Sequence, residues 1–237
     1  MTLPTLAVTG STGALGRLVA DHLAVSGVEQ RLLVRSVARA PELPGAVALH
    51  FDGYRDHDGA RAALEGVTTL LMVSAAENAD RLAEHLSLVD AAADAGVEHV
   101  VYTSFQGAAP QAAFTLARDH WATEEHLRAS GMAFTFLRDS LYADFLPLMA
   151  GDDGVIRGPA NDGRVAAVAR ADVGRAAHQV LMSPADHAGA TYDLTGPEAL
   201  TLEHVAAVLT EVSGRPTRYE PETLDEAYAS RAVYGAP

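Results

Sequence analysis

The chain contains no cysteine, and every one of its 17 basic Lys/Arg residues is arginine, so lysine is missing as well. Without cysteine there are no disulfides, thiolate nucleophiles, zinc–thiolate sites or iron–sulfur clusters. Without lysine no step can use a primary amine side chain. Strong positive charge is also lacking: the formal net charge is −14, and a surface of that sign repels nucleic acid and anionic lipid, so neither is an expected partner. The longest apolar run, "TTLLMVSAA" at 68–76, falls well short of the roughly 18 residues a membrane span needs. The opening "MTLPTLAVTG" has neither a basic n-region nor a long apolar stretch, so it does not read as a secretory signal and a cytoplasmic location is expected.

What is present alternates. Short apolar runs occur at 5–10, 31–35, 47–51, 68–74, 99–104 and 132–138. Several are nearly continuous in Val, Leu and Phe, as in strands covered on both faces. Between them lie amphipathic stretches, including "ALGRLVADHLAVSG", "HDGARAALEG", "NADRLAEHLSLVDAAADAG" and "WATEEHLRASG". Gly27, Gly66, Gly96 and Gly131 stand where such helices would be C-capped. This rhythm predicts an α/β fold of the Rossmann type, a doubly wound parallel sheet with right-handed crossovers, over residues 1–140. From 141 to 237 the text turns richer in Gly, Asp and Pro, predicting a small C-terminal α+β lobe on the substrate side, within the same compact unit.

The stretch "AVTGSTGALG" at 7–16 reads as a strand, a glycine turn and a helix start. Gly10 permits the tight turn, Gly13 lets backbone approach a pyrophosphate, and Gly16 lets the helix pack on the sheet, while the helix N-terminus offers N–H groups and a positive dipole end. At the head of a βαβ pattern this predicts a dinucleotide site. An NAD site usually places Asp or Glu at the end of the second strand. Here "LLVRSVAR" offers Val34, which accepts nothing, and Arg35, a fork-shaped donor suited to a 2′-phosphate, with Arg39 nearby. NADP(H) is therefore expected over NAD(H). Asp52, after the third strand, is expected at the adenine edge, and the strand ends 73–76 and 103–104 on the nicotinamide side.

No tyrosine is followed four residues on by lysine, so the Tyr-x-x-x-Lys proton donor of many short-chain dehydrogenases is absent. Hydride delivered to a simple ketone makes an alkoxide that needs a proton donor. Hydride delivered to a quinone makes a phenolate-like anion whose conjugate acid has a pKa of roughly 10, several units tamer. A quinone or related aromatic carbonyl is thus the expected substrate. Weak donors are His120, expected just before the helix "WATEEHLRASG", Tyr102, and Tyr142 after the sixth strand. His120 and His126, six residues apart, share no helix face, and no metal site is expected.

The chain resembles the NmrA-like, atypical short-chain dehydrogenase/reductase group, most closely its bacterial NADPH-quinone oxidoreductases. The resemblance rests on "VTGSTGALG", "LLVRS", "LLMVSAAE", "AGVEHVVYTS", "EEHLRASGMAFTFLRDSLYADF", "NDGRVAAVARADVGRAA" and "YDLTGPEALTLEHVAAVLTEVSG", nearly the whole length. It implies NADPH contacts from Gly10, Ser11, Thr12, Gly13, Ala14 and Leu15, from Arg35, and from Ser74, Ala75 and Ala76. It further implies contacts from Asp139, Ser140, Leu141 and Tyr142 through Asp144, and from Arg170. His120 lies where many relatives carry a catalytic lysine and some quinone reductases carry histidine. Two departures stand out: Asp139 replaces the Pro or Asn usual after "LR", and the sequence ends at "AYASRAVYGAP" where relatives generally continue. The same resemblance leaves open a non-catalytic NADP-sensing regulator, or an auxiliary reductase working with an oxygenase on an aromatic metabolite. An epimerase is disfavoured by the missing Tyr–Lys pair, and a homo-oligomer is left open.

Overall fold

The computed structural model describes residues 3–232. Strand and helix alternate through β1 (Leu6–Thr9), α1 (Ala14–Val25), β2 (Gln30–Val34), β3 (Ala46–His50), α2 (His57–Leu64), β4 (Thr69–Met72), α3 (Arg81–Asp94), β5 (His99–Phe105), α4 (Thr115–Ala129) and β6 (Ala133–Asp139). A 3-10 segment (Ala143–Met149) follows, then β7 (Val155–Gly158), β8 (Arg164–Val165), α5 (Arg170–Met182), β9 (Thr191–Leu194), β10 (Leu200–Thr201), α6 (Leu202–Ser213), β11 (Arg218–Pro221) and α7 (Leu224–Arg231). Among the described residues no helix is long and apolar enough to cross a membrane.

Seven strands form one sheet in the order β3-β2-β1-β4-β5-β6-β9, and every pairing within it is parallel. This is the doubly wound Rossmann-type α/β fold expected from the alternation. The strand order reverses between β1 and β4, and in such sheets a crevice opens beyond the carboxyl ends of those two strands. The near-continuous apolar runs are explained by burial from both sides: β1, β2 and β4 are buried at every position.

The chain divides into two compact units. One runs to Asp139 and takes up again over Arg170–Leu194; the other comprises Ser140–Ala169 and resumes at Thr195. The first unit therefore recovers α5 and β9, which the sequence had grouped with the C-terminal lobe. The reason is in the packing. β9 extends the sheet edge in parallel register with β6, Phe136 opposite Thr191 and Asp139 opposite Leu194. α5 lies against α1 so closely that a Cβ on Gly174 would sit 3.2 Å from Leu18 Cβ. In the second unit β7 pairs with β11 and β8 with β10, around a core of Leu146, Ile156, Leu202, Val205 and Ala206.

Helix α4 begins at Thr115, so His120 lies inside it rather than ahead of it. Its buried face is Ala117, His120, Thr123, Glu124 and Leu127, mostly polar, which hid the start from an apolar-periodicity reading. These polar groups are satisfied where they are buried, as such groups must be. Glu124, fully buried, takes a two-pronged bond from Arg138, with Nε at 2.9 Å and Nη2 at 2.7 Å, and another from Ser104 Oγ at 2.6 Å.

Candidate dinucleotide site

At the crevice beyond β1 and β4 the first unit holds a groove of about 410 Å3. Its floor is the glycine turn. Gly10 turns the chain at φ +66°, and its carbonyl accepts the Gly13 N–H at 2.8 Å. Gly16 is obligatory for the close approach of helix to turn: a Cβ there would lie 2.3 Å from Gly10 O. No side chain caps α1 at Gly13, and its first turn carries no acidic residue. The first-turn N–H groups and the dipole end are thus left for an anion. Thr12, Gly13, Ala14 and Leu15 line the groove; Ser11 is fully buried and does not.

The β2 end supplies Val34, buried, and Arg35, exposed over the groove. Arg35 has no carboxylate partner among the described residues, and no acid at the strand end competes for a ribose hydroxyl. A free N-terminal turn beside an unpaired guanidinium fits a pyrophosphate with a further phosphate on the adenosine ribose. Asp52 is not brought to this place. It is exposed, stands 3.4 Å from His50 Nε2, and is absent from the groove wall, where Phe51, Gly53 and Tyr54 stand instead.

The opposite wall is the segment Ser74, Ala75 and Ala76 after β4, and it is clamped from below. The Ala75 N–H donates to His85 Nε2 at 2.9 Å, and Arg81 Nε donates to the Ala75 carbonyl at 2.9 Å. Both residues come from α3, and both are buried. Accepting at Nε2 places the His85 proton on Nδ1, which faces Thr123 Oγ1 at 3.0 Å and Tyr102 Oη at 3.3 Å. Arg81 also reaches Asp119 Oδ2 at 3.2 Å and donates from Nη2 to His120 Nε2 at 3.0 Å. The His120 proton then sits on Nδ1, 2.8 Å from Tyr102 Oη.

Burial and the Arg81 charge together disfavour imidazolium in this network. His85 is lowered to about 3, by burial first and then by Arg81. His120 is pushed well below 6.5, by burial, by Arg81 and by His85. Burial raises the Tyr102 phenol, as it does that of Tyr54. Tyr54 donates to the Val73 carbonyl at 2.5 Å and stands 2.6 Å from Thr9 Oγ1, which accepts the Val73 N–H at 2.9 Å. Sequence reasoning missed Arg81, His85 and Tyr54, whose hydrogen-bond partners lie 6 to 45 residues away and include backbone atoms without a motif.

The remaining expected residues are placed as follows. His120 is buried, with both ring nitrogens engaged, and does not line the groove. Asp139 ends β6, buried, its carbonyl accepting the Gln106 N–H at 2.9 Å. Arg170 starts α5, half-buried. Ser140, Leu141 and Tyr142 belong to the second unit. There the Leu141 carbonyl accepts the Val168 N–H at 3.0 Å and the Val168 carbonyl accepts the Ala143 N–H at 2.9 Å, so that Tyr142 forms a parallel bridge to Val168; Tyr142 is half-buried with its ring 6.1 Å from that of Phe145.

The arrangement matches known proteins along nearly its whole length. The chain is 36% identical to quinone oxidoreductase 2 of Escherichia coli (strain K12), over 96% of this chain and 80% of that one. It is 32% identical to the NAD(P)H azoreductase of Xenophilus azovorans, over 97% of this chain and 81% of that one. Among solved structures, an NADPH-dependent quinone oxidoreductase from Escherichia coli in complex with NADPH superposes with a TM-score of 0.87 at 35% identity, covering 98% of this chain and 83% of that chain. The NmrA-like family model matches residues 3–230, and the chain belongs to the NmrA-like family.

Proposed function

We propose that this NAD(P)H-dependent oxidoreductase of the NmrA-like family transfers hydride from NADPH to a quinone or related aromatic carbonyl. The observation that carries the cofactor reading is Arg35, an unpaired guanidinium beside an uncapped helix N-terminus in one groove. Gly13, Ala14 and Leu15 would hold the pyrophosphate through their backbone, Arg35 the 2′-phosphate, and Ser74–Ala76 the opposite side. When bound, NADPH supplies the hydride. Asp139, Ser140, Leu141, Tyr142 and Arg170 are assigned to the nicotinamide side by resemblance.

The acceptor reading rests on the chain's lack of lysine. A reduced quinone leaves as an anion near the acidity of tyrosine, so it needs only a weak donor or water. His120, held neutral between Arg81 and Tyr102, is assigned to bracing rather than to acid catalysis. Tyr142 is assigned the hydrogen bond to the acceptor oxygen. The second unit is assigned to the acceptor, and its exposed Leu141 and Phe145 suit a flat aromatic ring. Relatives named quinone oxidoreductase and NAD(P)H azoreductase support this choice.

The test is NADPH consumption, followed by absorbance, with a panel of quinones and with aliphatic ketones. Turnover with quinones and none with aliphatic ketones is expected. Efficient reduction of an aliphatic ketone overturns the acceptor reading. Tight NADPH binding without turnover on any acceptor replaces it with a cofactor-sensing role.

A further inference from the structure

The wall of the groove contains one carboxylate among the described residues, Glu84 on α3. A carboxylate repels phosphates, so it must face a part of the ligand that donates hydrogen bonds. Its position along the groove follows from the segment Gly53–Arg55. A Cβ on Gly53 would lie 3.8 Å from Arg35 Cδ. Two residues on, Arg55 brings Nη2 to 3.9 Å from Glu84 Oε1. The segment Gly53–Arg55 thus runs from beside Arg35 to beside Glu84, and we take both residues, which line the same groove, to serve one end of it. On the reading of Arg35 given above, on which this inference rests, that end receives the adenosine.

Adenine carries one strong donor, the exocyclic amine at C6; its ring nitrogens accept. We propose that Glu84 accepts a hydrogen bond from this amine and sets the enzyme's preference for adenine. The carboxylate is held ready. Asn78 Nδ2 donates to Oε2 at 3.2 Å and to the Ala76 carbonyl at 3.2 Å, while its own Oδ1 accepts the Asp80 N–H at 2.8 Å. Asn78 Nδ2 thus fixes Glu84 Oε2 while its bonds to Ala76 and Asp80 hold the amide in place, and Oε1, 3.9 Å from Arg55 Nη2, is the oxygen assigned to the ligand. Arg55, itself paired with Asp80, offsets part of the Glu84 charge from 3.9 Å. The sequence reading places Asp52 at the adenine edge; its exposed carboxylate stands 3.4 Å from His50 Nε2 and is not part of the groove wall.

The experiment compares NADPH with its hypoxanthine analogue, in which a carbonyl replaces the amine. Both are titrated by nicotinamide fluorescence into the wild-type protein and into Glu84→Ala, Glu84→Gln and Asp52→Ala. A hydrogen bond to an ionised acceptor corresponds to roughly tenfold or more in affinity. The wild type is expected to prefer NADPH by about that factor. Glu84→Ala is expected to bind the two nucleotides alike. Glu84→Gln, whose amide oxygen still accepts, keeps part of the preference. Glu84 is partly exposed, 23% for its side chain, and the wild-type comparison needs no variant to fold. Equal affinity of the wild type for both nucleotides overturns the proposal. So does a preference that survives Glu84→Ala or disappears only in Asp52→Ala. Failure of the wild type to bind either nucleotide overturns the dinucleotide reading itself.

Discussion

The Ala75 peptide is gripped at both ends by α3: its N–H donates to His85 Nε2 at 2.9 Å, and its carbonyl accepts from Arg81 Nε at 2.9 Å. Ala75 lines the groove, whereas His85 is buried beneath it. Replacing His85 by Leu leaves the half-buried Ala75 N–H without its acceptor, a loss toward the lower end of the roughly 1–3 kcal/mol of a fully buried donor. Glutamine places an oxygen near Nε2 and should restore it. His85→Leu is expected to weaken NADPH binding several-fold and to speed hydrogen exchange at the Ala75 amide, with His85→Gln close to wild type. A His85→Leu protein with unaltered exchange at Ala75 would show that the loop is held by other means.

The same histidine makes stability depend on pH in a defined direction. In the unfolded chain it titrates near 6.5; in the folded protein burial and the Arg81 charge lower it to about 3. Between those values the unfolded state binds a proton that the native state refuses, so stability is fully present above pH 6.5 and declines as the pH falls toward 3. Each such histidine contributes a slope approaching about 1.4 kcal/mol per pH unit within the window. His120 adds in the same direction. Melting temperature measured from pH 7 down to 4 should fall less steeply in His85→Gln than in the wild type. Parallel curves would contradict the assignment.

Arg35 tests the nucleotide preference. Its guanidinium has no protein partner to lose among the described residues, so its removal should leave the fold intact and act on ligand alone. A charge-assisted contact to phosphate corresponds to roughly 1.5–3 kcal/mol, or about tenfold to a hundredfold in affinity. Arg35→Ala is expected to lower NADPH affinity by that factor with NADH affinity nearly unchanged, read by paired fluorescence titrations. Equal losses for both nucleotides would show that Arg35 does not distinguish the 2′-phosphate.

The fold was legible because its signals are local. Apolar runs buried on both faces announced β1, β2 and β4, and the glycine spacing announced the turn whose closeness Gly16 makes necessary. Arg35 and Ser74–Ala76 line one groove because strand ends in a parallel sheet share one edge. What stayed hidden depends on contacts distant in sequence. The early start of α4 was masked because its buried face carries His120, Thr123 and Glu124, satisfied by Arg81, His85 and Arg138 from other elements. The return of α5 and β9 to the first unit depends on a sheet edge beside β6 that no local pattern reveals. Glu84 reads in isolation as a helix-surface acid; only the fold turns it toward the groove.

His120 separates a bracing role from a proton-donating one. Its Nε2 accepts from Arg81 and its Nδ1 lies against Tyr102, with burial holding the ring neutral. A neutral imidazole with both nitrogens occupied carries no ionisation into the working pH range. The rate of quinone reduction is therefore expected to show no titration attributable to His120 between about pH 5.5 and 8, a range that includes the unperturbed histidine value. His120→Gln should lower the melting temperature by disturbing Arg81, and weaken NADPH binding through the Ala75 clamp. It should leave the shape of the pH–rate profile unaltered. A wild-type profile that titrates near pH 6.5, and loses that step in His120→Gln, would return the proton transfer to His120.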